Sequence, residues 1–313
     1  MEMDGRTLHV GLVVPAFFYV PYWAAHDLCL YRKQGLNVKF VVFGGIDPLT
    51  KALKDGTIDV GIGSPEHVIH DVEAGGDLRM IAGNVNRLTH SLIAQPEIKR
   101  LEDLRGKTIG VSALSAGTSS LFTDILERVG LHPGDYHVVE AGVVPPRHDR
   151  LLERSIDAAM QTDPHNYLAE DAGFTNLGTV SDWIPYFQFT SVNVNRTWAG
   201  ENEDALVRFL AASIQGSQWM FKNQQSAVEV AARRMDVDQR YLERAWKDHV
   251  NGFAVPIDLR LEARSIETAL EMIRRDRPTS VQVSGDASFA KYVDTRYLRE
   301  AQQVAGVDEA LVT

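Results

Sequence analysis

One passage of this chain occurs twice in outline. Ile58-Asp59-Val60-Gly61-Ile62-Gly63-Ser64-Pro65-Glu66-His67 is echoed by Ile156-Asp157-Ala158-Ala159-Met160-Gln161-Thr162-Asp163-Pro164-His165. Each copy follows a polar helix end, Leu53-Lys54-Asp55-Gly56 in one case and Leu152-Glu153-Arg154-Ser155 in the other. Each then offers a strand-like run, a capping side chain, and a proline where the spacing predicts the first position of a helix. Ser64 and Asp163 carry oxygens able to accept the unpaired N–H groups of a helix start, and proline lacks only a donor not needed there. A strand running straight into a capped helix is the joint at which α/β folds hold ligands. One joint in each half predicts two lobes facing one another, with Ser64 and Thr162 looking into a shared crevice.

The hydrophobic periodicity agrees with an α/β fold. Strands are expected at Leu8–Val14, Val38–Phe43, Ile58–Ile62 and Leu78–Gly83, with helices at Tyr22–Gln34, Leu49–Lys54 and His67–Glu73 between them. Alternation of this kind with short loops implies a mainly parallel sheet. The pattern restarts after Leu101-Glu102-Asp103-Leu104-Arg105-Gly106-Lys107, with strands at Thr108–Ser112, Tyr136–Glu140 and Ala158–Gln161. Four helices follow over Glu203–Asn223, Ser226–Met235, Gln239–Val250 and Arg260–Arg274, and a last short one begins at Lys291. The expected division is a discontinuous first lobe, 1–94 plus 191–313, and a second lobe, 95–190. Chain crossings near Ile93–Pro96 and Phe189–Asn193 would serve as the hinge of a closing motion.

Composition narrows the function. A net charge of −10 argues against a general nucleic-acid or anionic-membrane binder, though not against a local anion site. The single cysteine, Cys29, makes neither an internal disulfide nor a thiolate zinc site. No apolar stretch reaches the roughly 20 residues of a membrane helix. Met1-Glu2-Met3-Asp4-Gly5 has no basic leader, so the sequence as written reads as cytoplasmic, or as periplasmic if a leader has been removed. P-loop, nucleophile-elbow and GxGxxG patterns are lacking.

Several stretches together resemble the periplasmic-binding-protein-like family, which includes sulfonate, taurine and nitrate binding proteins of ABC importers and the THI5-like pyrimidine synthases. They are Tyr31-Arg32-Lys33-Gln34-Gly35-Leu36-Asn37-Val38, Ala52-Leu53-Lys54-Asp55-Gly56-Thr57-Ile58-Asp59-Val60-Gly61, Leu101 to Val111, and Tyr292-Val293-Asp294. The resemblance runs nearly end to end. It implies a two-lobed type II fold, a small-molecule ligand, hinge closure and an ABC permease as partner. There are departures. Where the synthases place a lysine for pyridoxal phosphate this chain has Gly63, and their cysteine-rich iron motif is missing. No cofactor or metal is therefore expected. The nucleophilic cysteine of a desulfinase would fall in the first loop, which reads Pro15-Ala16-Phe17-Phe18, while Cys29 falls in the following predicted helix.

Candidate ligand contacts lie on the predicted strand-to-helix loops. The aromatic first loop offers Phe18, Tyr19 and Tyr22 as a stacking wall, with Trp23 assigned to the core. Gly45 and Ile46, and the hydroxyls of Ser115, Thr118 and Ser119, open helices whose exposed N–H groups suit an anion, although plain capping explains such residues equally well. Arg87 and Arg147 are the guanidinium candidates for an oxyanion. Ser64, His67, Thr162 and His165 hold matching places in the repeat; both histidines fit ligand contact, or helix-start preference alone. The leading expectation is a protein closing on a small anionic, partly aromatic molecule: a sulfonate, carboxylate or pyrimidine-like compound. The alternative is a cytoplasmic decarboxylase, desulfinase or hydrolase of an organic acid, with His67, Arg87, Asp163 and His165 as its acid–base and charge-stabilising groups.

Overall fold

The computed structural model describes residues 5–112, 117–276 and 289–307. The chain forms two compact units, Met1–Arg87 with Phe187–Thr313, and Leu88–Tyr186. The first begins β1 (Arg6–Leu12), a 3-10 turn (Phe17–Tyr19), α1 (Val20–Asp27), α2 (Leu30–Lys33) and β2 (Leu36–Val42). It continues with α3 (Ile46–Lys54), β3 (Val60–Gly63), α4 (Pro65–Glu73) and β4 (Leu78–Val85). The second unit holds β5 (Ser91–Ala94), β6 (Thr108–Val111), α5 (Gly117–Glu127), β7 (His137–Glu140), α6 (Val144–Leu152), β8 (Ala158–Gln161), α7 (His165–Asp171), β9 (Thr175–Thr179) and α8 (Val180–Trp183). The chain then returns to the first unit as β10 (Thr190–Asn195), α9 (Arg196–Glu201), α10 (Glu203–Lys222), α11 (Gln224–Ala232), α12 (Gln239–Asn251), α13 (Ala263–Asp276) and α14 (Arg296–Ala305).

The sheet orders are β2-β1-β3-β10-β4 and β7-β6-β8-β5-β9. They are the same arrangement. In each, three parallel strands are followed by one antiparallel to both its neighbours, then by a last strand that runs with the first three. The repeat seen in the sequence therefore reports a repeated topology, with β3 and β8 in the same seat. A run of four sequential parallel strands was expected in the first sheet. Instead β10 wedges between β3 and β4, and hydrogen bonds with both from more than a hundred residues away.

Changes of lobe were expected after residues 94 and 190. The chain changes unit earlier, before β5 and before β10, because β5 pairs with β8 and β9 of the second sheet. β9 itself was not foreseen; its polar run Thr175-Asn176-Leu177-Gly178-Thr179 lacks a strand's hydrophobic alternation. Tyr292-Val293-Asp294 is not helical either. Val293 bridges Met80, with Met80 N–H donating to Tyr292 O (2.9 Å) and Asp294 N–H to Met80 O (2.9 Å), so the late segment edges the first sheet.

The helix predicted over Tyr22–Gln34 is two. Cys29 stands at φ +56° between α1 and α2, with no glycine or proline to mark the break. Long-range packing accounts for it. Tyr31 lies flat on Phe209 of α10 (5.4 Å, 8°), and its hydroxyl meets Ser213 Oγ at 2.9 Å. Tyr22 stacks on the same phenylalanine at 6.3 Å. Such pairs are worth about 0.5–1.5 kcal/mol each beyond area burial, enough to turn the short α2 toward α10. Among the described residues no helix is long and apolar enough to cross a membrane.

Candidate functional site

In each sheet the chain leaves one strand, β1 in the first and β6 in the second, for the outer neighbour and then crosses to the other side. The loops after β1 and β3, and after β6 and β8, therefore diverge at adjacent strand ends. Open α/β sheets bind ligands at such switch points.

In the first unit the buried Tyr19 ties these strand ends together. Its hydroxyl accepts from Val13 N–H (3.3 Å) and donates to Ile62 O (3.2 Å). Burial pushes this phenol upward, so it remains a donor at any physiological pH. Tyr19 and Tyr22 are thus not a stacking wall: both are wholly buried, Tyr19 as a brace and Tyr22 against Phe209. Trp23 is buried, as the sequence suggested. Phe18 is the partly exposed ring of the loop, tilted against Tyr19 (4.6 Å) and edge-on to Phe189 (6.1 Å) and His249 (6.2 Å). Val14, just after β1, is exposed.

Ile46, opening α3 after its cap Gly45, reaches over the end of β3. A Cβ on Gly63 would meet Ile46 Cδ1 at 2.7 Å, so a longer side chain fits there only if Ile46 moves away. Ser64 caps α4 as the repeat predicted, accepting from Glu66 N–H (3.2 Å) with Pro65 in the first turn. One turn on, His67 Nδ1 meets Thr50 Oγ1 (3.1 Å), and Nε2 lies 3.7 Å from Asp47. Phe18, Ile46, Ser64 and His67 thus cluster around the ends of β1 and β3. Arg87 does not join them by sheet position. It is half-buried beyond β4, two strands from β3.

The matching joint of the second unit differs in detail. Pro164 is not the first residue of a helix; it follows Asp163 through a cis bond, and α7 starts at His165 without a side-chain cap. Thr162 contributes its carbonyl, which accepts from Asn166 N–H (3.1 Å). Arg147 lies in the first turn of α6, buried, donating from Nε to Met160 O (2.9 Å) and from Nη1 to Gly142 O (3.0 Å). Burial lowers this guanidinium to about 10. It braces α6 against the end of β8, and two of its donors are committed to backbone. Ser119, in the first turn of α5, is partly exposed. Ser115 and the side chain of Thr118 lie outside the described residues.

Sequence reasoning missed His148 and Gln161. His148 meets His165 edge to face, 5.2 Å between ring centroids. Burial, and then His148, push His165 down to about 4, and burial lowers His148 as well. Both rings are neutral near pH 7. Because the folded protein resists protonating His165 while the unfolded chain protonates near 6.5, stability must fall as pH drops from about 6.5 towards 4 and level off below. The melting temperature of a His165→Gln variant should fall less steeply over that window than the parent's; parallel curves would reject this assignment.

A pocket of about 710 Å³ lies elsewhere in the first unit, lined by His26, Asp27, Cys29, Arg32, Arg233 and Arg234. Since β2 starts at Leu36 opposite Arg6, the α1–α2 junction lies toward the N-terminal strand edge. Cys29, expected within a helix, instead stands at the break between α1 and α2, at the far end of α1 from the switch point. Among the described residues no three His, Cys, Asp or Glu side chains gather as a metal site.

The family model described as NMT1/THI5 like matches residues 17–227. This chain belongs to the NMT1/THI5-like family. A relative from Brucella abortus (strain 2308), described as a binding protein, is 26% identical over 238 residues, 72% of either chain. The periplasmic nitrate-binding protein NrtA of Synechocystis PCC 6803 superposes with a TM-score of 0.81 at 13% identity, over 99% of this chain and 91% of its own. The alkanesulfonate-binding protein SsuA of Xanthomonas axonopodis, solved with MOPS, gives 0.72 at 17% identity, over 90% and 97%. The desulfurization enzyme DSZB gives 0.69 at 13%, over 96% and 99%. At these identities the family member and the solved proteins share a fold, the two-lobed α/β architecture.

Proposed function

We propose that this protein is a substrate-binding protein of the ABC-import type, taking a small, partly aromatic organic anion and delivering it to a membrane permease. The observation that carries this reading is the duplicated strand order, which sets a switch point with helix-opening loops in each unit. The first unit offers apolar contact through Val14, Phe18 and Ile46, and polar contact through Ser64 and His67. Thr162, His165, Ser119 and Arg147 are the corresponding candidates in the second. Solved proteins whose names state nitrate or alkanesulfonate binding support an anion, and a periplasmic setting agrees with that of NrtA. An enzyme of the same fold is less favoured. DSZB superposes less well than NrtA, and the one thiol lies away from the switch point.

Thermal shift across sulfonates, carboxylates and pyrimidines tests the proposal. A ligand at a hundred times its Kd adds about 2.7 kcal/mol of stability. One class should therefore raise Tm by several degrees and be recovered chemically unchanged. Phe18→Ala should weaken that ligand about tenfold, the worth of one aromatic contact. A flat response to the whole panel at millimolar concentration would reject the reading, and turnover of the bound compound would move it to the enzyme.

A further inference from the structure

The second unit contains a buried polar group that no protein bond explains. Gln161, the last residue of β8, is fully buried, and neither its Nε2 nor its Oε1 has a hydrogen-bond partner. Its place is well defined. Ala159, two residues earlier, packs with Leu151 of α6, Ala169 of α7 and Ile93 of β5, and strand alternation puts Gln161 on that same helix-covered face. Ser91 stands directly opposite it in the β5–β8 register, so their side chains share the face. Asn166, in the first turn of α7, donates from Nδ2 to Ser91 Oγ (3.3 Å), while its own Oδ1 is unpartnered. His148 of α6, against His165, has an unpartnered buried Nδ1.

Unpaired interior polar atoms cost about 1–3 kcal/mol each, and a leucine of similar shape would avoid the penalty at Gln161. Amides with both ends unbonded call for a complement. A glutamine presents a carbonyl and an N–H side by side, in either flip of the group, and that edge pairs in bidentate fashion with another C=O/N–H edge. Asn166 Oδ1 and the neutral His148 add acceptor capacity. An acceptor-only oxyanion would satisfy Gln161 Nε2 and leave the oxygens orphaned.

We infer that the Gln161–Asn166–His148 cluster is a recognition pocket for a neutral carboxamide or ureide edge of the ligand. Gln161 pairs with its C=O/N–H, and Asn166 accepts from a further N–H. The inference rests on the binding-protein reading and refines it, because the organic anion would carry this edge in addition to its charge.

The test compares benzamide, hydantoin and benzenesulfonate on the intact protein and on Gln161→Leu, by calorimetry and thermal shift. Benzamide or hydantoin should bind the parent and lose at least tenfold in affinity in the variant, while benzenesulfonate changes less than twofold. The unliganded variant should melt no lower than the parent. Gln161→Met repeats the comparison should the leucine form fail to fold. Benzenesulfonate binding alone, indifferent to Gln161, would overturn the inference and leave the binding-protein reading standing. A variant that melts lower with every affinity unchanged would make the amide a structural group and also overturn it. Failure of benzamide and hydantoin on the parent would overturn the inference too, and the binding-protein reading falls with it only if the whole panel is also flat.

Discussion

Gly216→Ala is expected to lower the melting temperature by about 4–6 °C, the equivalent of roughly 3 kcal/mol for a chain of this size. Gly216 lies in the middle of α10, where helix propensity alone would welcome alanine. Packing decides the other way. A Cβ there would stand 2.1 Å from Pro21 O, 3.0 Å from Ala25 Cβ and 3.1 Å from Ala25 N, all in α1. Backbone cannot step aside as a side chain can, so α1 and α10 must separate. The strain then reaches the ligand loop, since α1 begins where the Phe17–Tyr19 turn ends and Tyr19 ties β1 to β3. Ligand-induced stabilisation should shrink along with Tm. Gly200 in α9 has nothing within 4 Å of its would-be Cβ and supplies the control. Gly200→Ala should be neutral or stabilising by up to about 1 kcal/mol. Equal melting of both variants would contradict this account of the α1–α10 crossing.

The second large effect is expected at Arg147. Replacing it by methionine keeps most of the stem and removes both charge-assisted bonds, leaving Met160 O and Gly142 O without their side-chain donor. Bonds from charged groups are worth about 1.5–3 kcal/mol each, while release of a buried cation from its desolvation penalty works in the opposite direction. The bonds should win, for a net loss of about 2 kcal/mol by denaturant unfolding. Arg147→Lys should recover only part of it, because an ammonium cannot direct two fixed donors at two carbonyls. A methionine variant as stable as the parent would show that desolvation cancels the bonds. Because Arg147 adjoins His148, the same substitution should also disturb the His148–His165 contact and blunt the acid-range loss of stability argued above.

These residues show why some parts of the site could be read in advance and others could not. The Ser64-Pro65 joint was legible because a cap and its N–H lie two residues apart, so the chain's own neighbours decide the outcome. Its counterpart looked the same on paper, yet α7 begins a residue later than the motif implied. Tyr19 and Tyr22 could not be assigned from the loop's composition. Seven consecutive bulky or aromatic positions, Phe17 to Trp23, offer many faces, and the choice between core and surface was made by Ile62 and Phe209. Gln161 gave one signal that could have been used, a polar residue closing a strand otherwise made of Ala158, Ala159 and Met160.

Periodicity, caps and turn residues act over a few positions, so most of the alternation of strands and helices, the two-part organisation and the family could be read from the linear chain. Which strand fills the gap between β3 and β4, where α1 breaks, and which polar atoms end up buried without partners depend on residues brought together from far along the chain. Hydrogen bonding and close packing are satisfied by neighbours in space, and those exist only after folding.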